Sequence, residues 1–207
     1  MKTVIAKQLR KPSGLLGFLT GRLLAKQNVF TYQAIEKYLE FSEIRHAFEI
    51  GYGPGAGIQY FHDKYGIKID GVDFSKTMYK AATRKNKIGI KNDAIVLRHS
   101  DFLTMENIGD RYDCVYFANV TYFWNDLVQP FAKIRDMIKE NGKLVFYMTN
   151  DSFLEKNPVT QTEVFNKYSY NYVKQALSST GFKDVRHHQV FAQNDDFLII
   201  EATKSNA

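Results

Sequence analysis

Glu49 and Asp73 are two acids placed where a turn of the backbone can hold a ligand against them. The segment Phe48-Glu49-Ile50-Gly51-Tyr52-Gly53-Pro54-Gly55-Ala56-Gly57 leads from an apolar run with an acid inside it into four glycines at alternate positions. Glycine accepts positive φ and lets a ligand approach the backbone without meeting a Cβ. The apolar run predicts a buried strand of a parallel sheet. Ile58, Phe61 and Tyr65 recur at helical spacing and predict a helix that opens from the turn. Strand, glycine turn and helix in that order form a nucleotide-cofactor site, with the free N–H groups of the helix start facing the ligand. The plainer reading is a glycine-rich surface turn, but four glycines carry an entropic cost that such a turn does not explain.

Gly51-x-Gly53-x-x-Ala56 also satisfies the dinucleotide pattern G-x-G-x-x-G/A. Two residues argue against a dinucleotide. Pro54 has no N–H to offer a pyrophosphate, and the Glu49 carboxylate repels one while suiting a ligand with ammonium and sulfonium charge. S-adenosylmethionine has an adenosine, both cations and no phosphate. Glu49-x-Gly51-x-Gly53-x-Gly55 resembles motif I of the class I S-adenosylmethionine-dependent methyltransferases. That resemblance implies that Glu49 and the turn from Gly51 through Tyr52 and Gly53 to Gly55 hold the methionine end.

Asp73 lies 22 residues after Gly51, close to the spacing of a carboxylate that accepts from ribose hydroxyls. Asp73-Phe74-Ser75-x-x-Met78 resembles the family segment in which the acid holds the ribose and its neighbours flank the adenine. Asp73 also suits the N-cap of a helix over 75–86. By the same resemblance Asp101 meets the adenine amino group and Phe102 packs on the ring, the alternative for Asp101 being a second cap. Asn119 and Tyr122-Phe123-Trp124 look like the corresponding stretch in bacterial small-molecule members of the family. Asn119 then borders the cofactor and, with Tyr122 and Trp124, faces the methyl acceptor. For Phe123 and Trp124 plain packing under the next helix is the competing reading.

The elements that must position these residues follow from hydrophobic period. Residues 67–73, 94–97, 112–117 and 143–148 read as further strands, and 30–41, 75–86 and 128–138 as helices, the last closed by Asn141-Gly142. Residues 149–166 read as a loop long enough to face a substrate. A helix around Tyr172 to Leu177 ends at Gly181, and two runs, 182–191 and 196–203, join through 192–195 as a hairpin. The expected fold is α/β: a Rossmann-like, doubly wound, mostly parallel seven-stranded sheet with a C-terminal antiparallel hairpin and an N-terminal helical arm. The arm covers 1–42 and the methyltransferase domain 43–207; the resemblance runs from about 43 to 203.

The chain has 207 residues, 28 basic and 22 acidic, for a net charge of +6. Lys2, Lys7, Arg10, Lys11, Arg22 and Lys26 precede the first acid, Glu36, so the rest of the chain holds 22 basic against 22 acidic residues. The excess lies wholly in the arm, which argues against a broad nucleic-acid-binding face. Ser13 can cap an arm helix carrying Leu15 to Leu24, expected as a lid over the cofactor, with a plain packing helix or a weak membrane-surface contact as alternatives. No apolar run is long enough to span a bilayer. The single Cys114 rules out an internal disulfide and fits a cytoplasmic setting. No spacing of His, Cys, Asp and Glu suggests a metal, and His46, His62, His99, His187 and His188 read as surface histidines. Methyl transfer needs a base only when the acceptor must first lose a proton, so no catalytic residue is expected from sequence. The expected function is S-adenosylmethionine-dependent methyl transfer to a small molecule. The alternatives are an NAD-dependent oxidoreductase, a catalytically inactive ligand-binding relative, and a nucleic-acid methyltransferase favoured by the arm alone.

Overall fold

The computed structural model describes residues 2–11, 30–191 and 194–205. Its centre is a seven-stranded sheet of order β3-β2-β1-β4-β5-β7-β6, with β1 at His46–Ile50, β2 at Lys68–Asp73, β3 at Ile95–His99, β4 at Tyr112–Ala118, β5 at Ile138–Thr149, β6 at Phe182–Phe191 and β7 at Asn194–Lys204. The first five are mutually parallel, and β7 runs antiparallel to both β5 and β6. The strand order reverses direction between β1 and β4, which opens a crevice at their carboxyl ends.

β1 shows how the sheet is wedged between two apolar layers. Side chains alternate along a strand, so Phe48 and Ile50 join one core cluster while Ala47 joins the other. The first cluster is covered by α6 (Val128–Met137) and α8 (Tyr170–Ser179), whose Phe131, Ile134, Met137, Val173 and Leu177 recur at helical spacing and are fully buried. The second is covered by a helix at 30–36, here α2, and by α3 (Ala56–Tyr65) through Ile35, Ile58 and Phe61. α4 (Lys76–Lys85), followed by the short α5 (Lys87–Lys91), starts at Ser75, whose hydroxyl accepts from the Met78 N–H at 3.3 Å. That cap belongs to Ser75 rather than to Asp73.

Three expected elements are corrected, the first being the helix over 30–41, which spans only 30–36. The helix over 128–138 stops at Met137, and Asn141 (φ 59°) lies within β5, where the β4–β5 register shifts, instead of capping the helix. Gly142 is needed there because a Cβ would meet the Asp113 carbonyl at 2.8 Å. The 149–166 segment contains a helix, α7 (Asp151–Lys156), anchored by buried Leu154. A further helix not read from the sequence, α1 (Lys2–Arg10), docks fully buried Ala6 into the first cluster. The arm helix expected from Ser13 to Leu24 lies outside the described residues, as does part of the 192–195 turn.

Candidate active site

A cavity of about 590 Å³ occupies the carboxyl edge of the sheet, within the range of small-molecule sites. Each parallel strand feeds it from the residues where it ends. β1 delivers Gly51 and Gly53, β2 delivers Asp73 and Phe74, and α4 adds Met78. Asp101 and Phe102 follow β3, Asn119, Tyr122 and Trp124 follow β4, and Thr149 ends β5. Ten of the thirteen residues singled out in the sequence therefore share one cavity.

Glu49, Tyr52 and Gly55 do not line it, and each has a physical reason. Strand alternation turns Glu49 to the face opposite Ile50, which lines the cavity. There its carboxyl oxygens accept from the Tyr32 and Tyr116 hydroxyls at 2.9 and 3.0 Å, with the residue 1% exposed. Burial raises its pKa to about 8, against the pull of those hydroxyls and the Ile58 N–H. The start of α3 thus points at Glu49, not into the cavity, and the expected ligand-facing helix terminus is corrected. Gly57 makes this approach feasible, since a Cβ would lie 2.3 Å from the Tyr32 ring and 2.9 Å from the Glu49 carboxyl. Tyr52 is fully buried and donates to the Arg98 carbonyl at 3.0 Å. Gly55 packs against α4, where a Cβ would meet the Ala82 and Asn86 side chains.

The N–H groups of the turn are engaged inside the protein. Gly51 donates to the Val72 carbonyl at 2.8 Å, Gly55 to the Tyr52 carbonyl at 2.9 Å, and Gly53 to Asp73 Oδ2 at 2.9 Å. Asp73 Oδ1 accepts from the Ser75 N–H at 2.8 Å. Each carboxylate oxygen has a second lone pair, so Asp73 can still receive hydroxyl donors from the cavity. Burial raises its pKa to about 6, with the two backbone donors opposing. Gly51 has φ +68° and its missing Cβ leaves room for Val120, which would otherwise be met at 2.8 Å.

The acceptor end is aromatic. Trp124 is 6% exposed and rests on Phe102, Phe117 and Phe131, so it packs the core and lines the cavity at once. Tyr122 donates to Asn119 Oδ1 at 2.6 Å and accepts from the Thr149 N–H at 2.9 Å. Burial raises its hydroxyl pKa to about 12. Asn119 takes φ 59°, a left-handed conformation that asparagine tolerates better than most residues.

Several contributors went unread in the sequence. Leu9 and Arg10 bring the end of α1 to the cavity, and Arg10 reaches the Phe123 carbonyl at 3.5 Å. The Lys11 ammonium lies 5.3 Å from the centre of the Phe74 ring. Lys133 donates to the Leu103 carbonyl at 3.2 Å and to that of Met105, which pins the Asp101–Phe102 loop. Phe153 and Phe165 complete the aromatic wall. Long sequence separations hide these pairings; only the basic arm and the length of the 149–166 segment hinted at them.

An acid and a glycine turn at adjacent strand ends, opening on a cavity at the reversal of strand order, define a Rossmann-like domain for a nucleoside ligand. Comparison with known proteins carries this further. A family model described as a methyltransferase domain matches residues 48–146. Phosphoethanolamine N-methyltransferase 2 of Caenorhabditis elegans is 22% identical over 171 residues, covering 81% of this chain and 39% of its own length. The Haemonchus contortus phosphoethanolamine N-methyltransferase 2, solved in complex with S-adenosyl-L-methionine, has a TM-score of 0.71 at 19% identity, over 85% of this chain and 52% of that one. An O-methyltransferase family protein from Burkholderia thailandensis reaches a TM-score of 0.77 at 10% identity, over 93% and 60%. This chain spans well under half of the curated relative and about half of the Haemonchus enzyme. Residues 48–146 thus resemble a methyltransferase domain, and the fold is that of solved methyltransferases.

Proposed function

We propose that this chain transfers a methyl group from S-adenosylmethionine to a small-molecule acceptor. The observation that carries the reading is the pattern of charge and donors around the glycine turn. The N–H groups of Gly51, Gly53 and Gly55 are bonded within the protein, Pro54 has none, and the carboxylates of Asp73 and Asp101 line the wall. Such a wall disfavours a pyrophosphate and suits a phosphate-free nucleoside with positive charge. When bound, S-adenosylmethionine supplies an electrophilic methyl group on a sulfonium.

In this proposal Asp73 holds the ribose hydroxyls, and Phe74, Met78 and Phe102 enclose the adenine with Asp101 at its rim. Gly51, Gly53 and Asn119 border the methionine end. Tyr122 and Trp124 face the acceptor, and the aromatic wall excludes water while fixing its orientation. Glu49, Tyr52 and Gly55 act from behind the turn by holding its shape. Of the arm, 1–42, α1 serves as a lid on the domain at 43–207, whereas α2 packs into the second core cluster. The balanced charge outside the arm supports a small acceptor over nucleic acid, and the arm is suited to only weak contact with a membrane surface. The buried free thiol of Cys114 supports a cytoplasmic setting, and no helix among the described residues is long and apolar enough to cross a membrane.

Incubating the protein with methyl-labelled S-adenosylmethionine and a metabolite extract tests the proposal. The expected result is a labelled small molecule that is absent with heat-inactivated protein. Thermal stabilisation by NAD and not by S-adenosylhomocysteine would replace it with the oxidoreductase reading.

A further inference from the structure

Among the described residues the acceptor end offers hydrogen-bond donors, a cation, and a single carboxylate, Asp126, which is already engaged by two backbone N–H groups. Arg10 is the sole cation lining the cavity among the described residues. Its one bond is to the Phe123 carbonyl, and no carboxylate lies within ion-pair distance of it among the described residues. Tyr122 accepts the Thr149 N–H, so its own proton goes to Asn119 Oδ1, the shorter of its two side-chain contacts. That bond commits the amide oxygen of Asn119 and leaves its NH2 as the free end. Asn157 is committed the same way, its oxygen accepting from the Val159 N–H at 3.0 Å. Asn125 and Gln129 can present either end.

Of the three carboxylates of the wall, Asp73 and Asp101 belong to the nucleoside end in the reading above, and only Asp126 lies toward the acceptor. Asp73 faces the Gly53 and Ser75 N–H groups, Asp126 accepts with both oxygens from the Val128 and Gln129 N–H groups at the start of α6, and Asp101 accepts from the Leu103 N–H. No histidine lines the cavity among the described residues, and residues 12–29 contain neither an acid nor a histidine. A neutral amine needs acceptors for its N–H groups, and an alcohol needs a base. An ionised oxygen needs neither; it needs donors and a positive field. Lys2, Lys7, Arg10 and Lys11 on the described start of the arm supply that field, and Arg10 reaches the cavity.

Resting on the methyl-transfer reading above, we propose that the acceptor is a small acid whose ionised oxygen takes the methyl group, drawn in by Arg10 and the basic arm. The O–CH3 bond forms as the S–CH3 bond breaks, and the breaking pair stays on sulfur. Anion and sulfonium give a methylated product with one negative charge fewer and a neutral thioether, and no proton is released. A carboxylate yields an ester and an acidic enol or phenol yields an ether.

The test uses the full chain, methyl-labelled S-adenosylmethionine and a small-molecule extract freed of nucleic acid, with the labelled product isolated. It should bind anion-exchange resin less tightly than its precursor. Alkali should either release labelled methanol, which identifies a carboxylate acceptor, or leave the label in place on oxygen, which identifies an enol or phenol. Arg10→Gln should lower kcat/KM for the acceptor about 10- to 100-fold, as expected for a lost charged hydrogen bond. Its affinity for S-adenosylhomocysteine, measured by calorimetry, should change little. Label on nitrogen, sulfur or carbon, an unchanged kcat/KM, or an equal loss of S-adenosylhomocysteine affinity would each overturn this inference alone. No labelled product despite tight S-adenosylhomocysteine binding would overturn the transfer reading as well.

Discussion

Glu49 and Asp73 end neighbouring strands, are 1% and 7% exposed, and have pKa values raised by the same cause, burial. By register they share one side of the sheet, since Glu49 stands level with Gly71 and Asp73 follows two residues on, but Asp73 lies at the carboxyl edge and borders the cavity. Glu49 is sealed by two tyrosine hydroxyls and the start of α3, so its lone pairs serve the fold. Asp73 is held by two backbone N–H groups and keeps lone pairs open to the cavity. A carboxylate near a strand end therefore reads as a ligand-holding group only when it stands at the edge where the crevice opens, and not when a helix start and neighbouring side chains close over it.

The widest separation between the two should come from truncation. Glu49→Ala leaves two buried hydroxyls and a helix N–H without an acceptor, and should destabilise the fold by about 3 kcal/mol or more. In a protein of this size that is a fall in Tm of roughly 6–12 °C, readable by thermal melting. Asp73→Ala should instead weaken S-adenosylhomocysteine binding by about 1.5–3 kcal/mol in calorimetry, with the smaller change in Tm. A reversal of these two profiles would exchange the roles assigned here.

pH separates them next. The Glu49 pKa is about 8 in the folded protein, well above the ordinary value of about 4.3 in the unfolded chain. The native state then holds the extra proton between those values. Stability should fall as pH rises through that window, at up to about 1.4 kcal/mol per pH unit, and level off above it. Glu49→Gln should remove this fall, measured as the difference in Tm between wild type and variant across pH 5 to about 8. Asp73, with its pKa near 6, must be ionised to accept two hydroxyls. Cofactor affinity should therefore drop as pH is lowered through about 6 and hold steady above it.

The smallest effect lies in the turn between them. Gly51→Ala meets both a positive φ and the Val120 side chain, whereas Gly53→Ala meets only its φ of +53°, with nothing within 4 Å of the new Cβ. Gly51→Ala should cost cofactor affinity about 1 kcal/mol more than Gly53→Ala, as judged by S-adenosylhomocysteine titration. Equal losses would mean that Val120 gives way.

The sheet, its terminal hairpin and the glycine turn were legible because they rest on local signals: short apolar runs, alternating glycines and an acid at the next strand end. The side of the strand that Glu49 faces was not, because one residue of register decides it and neither Tyr32 nor Tyr116 is near it in sequence. Asn141-Gly142 looked like a helix stop because asparagine with a left-handed φ serves bulges and caps alike. Arg10 and Lys133 escaped notice for a different reason. Their partners, Phe123 and Leu103, lie 113 and 30 residues away, and no periodicity links them.

Calorimetric titration of wild type and Asp73→Ala with S-adenosylhomocysteine and with NAD tests the central claim most directly. Saturable binding of S-adenosylhomocysteine that is weakened about 10- to 100-fold in the variant, with no heat from NAD, is the predicted result. NAD binding that Asp73→Ala abolishes, or S-adenosylhomocysteine affinity that the substitution leaves untouched, would contradict it.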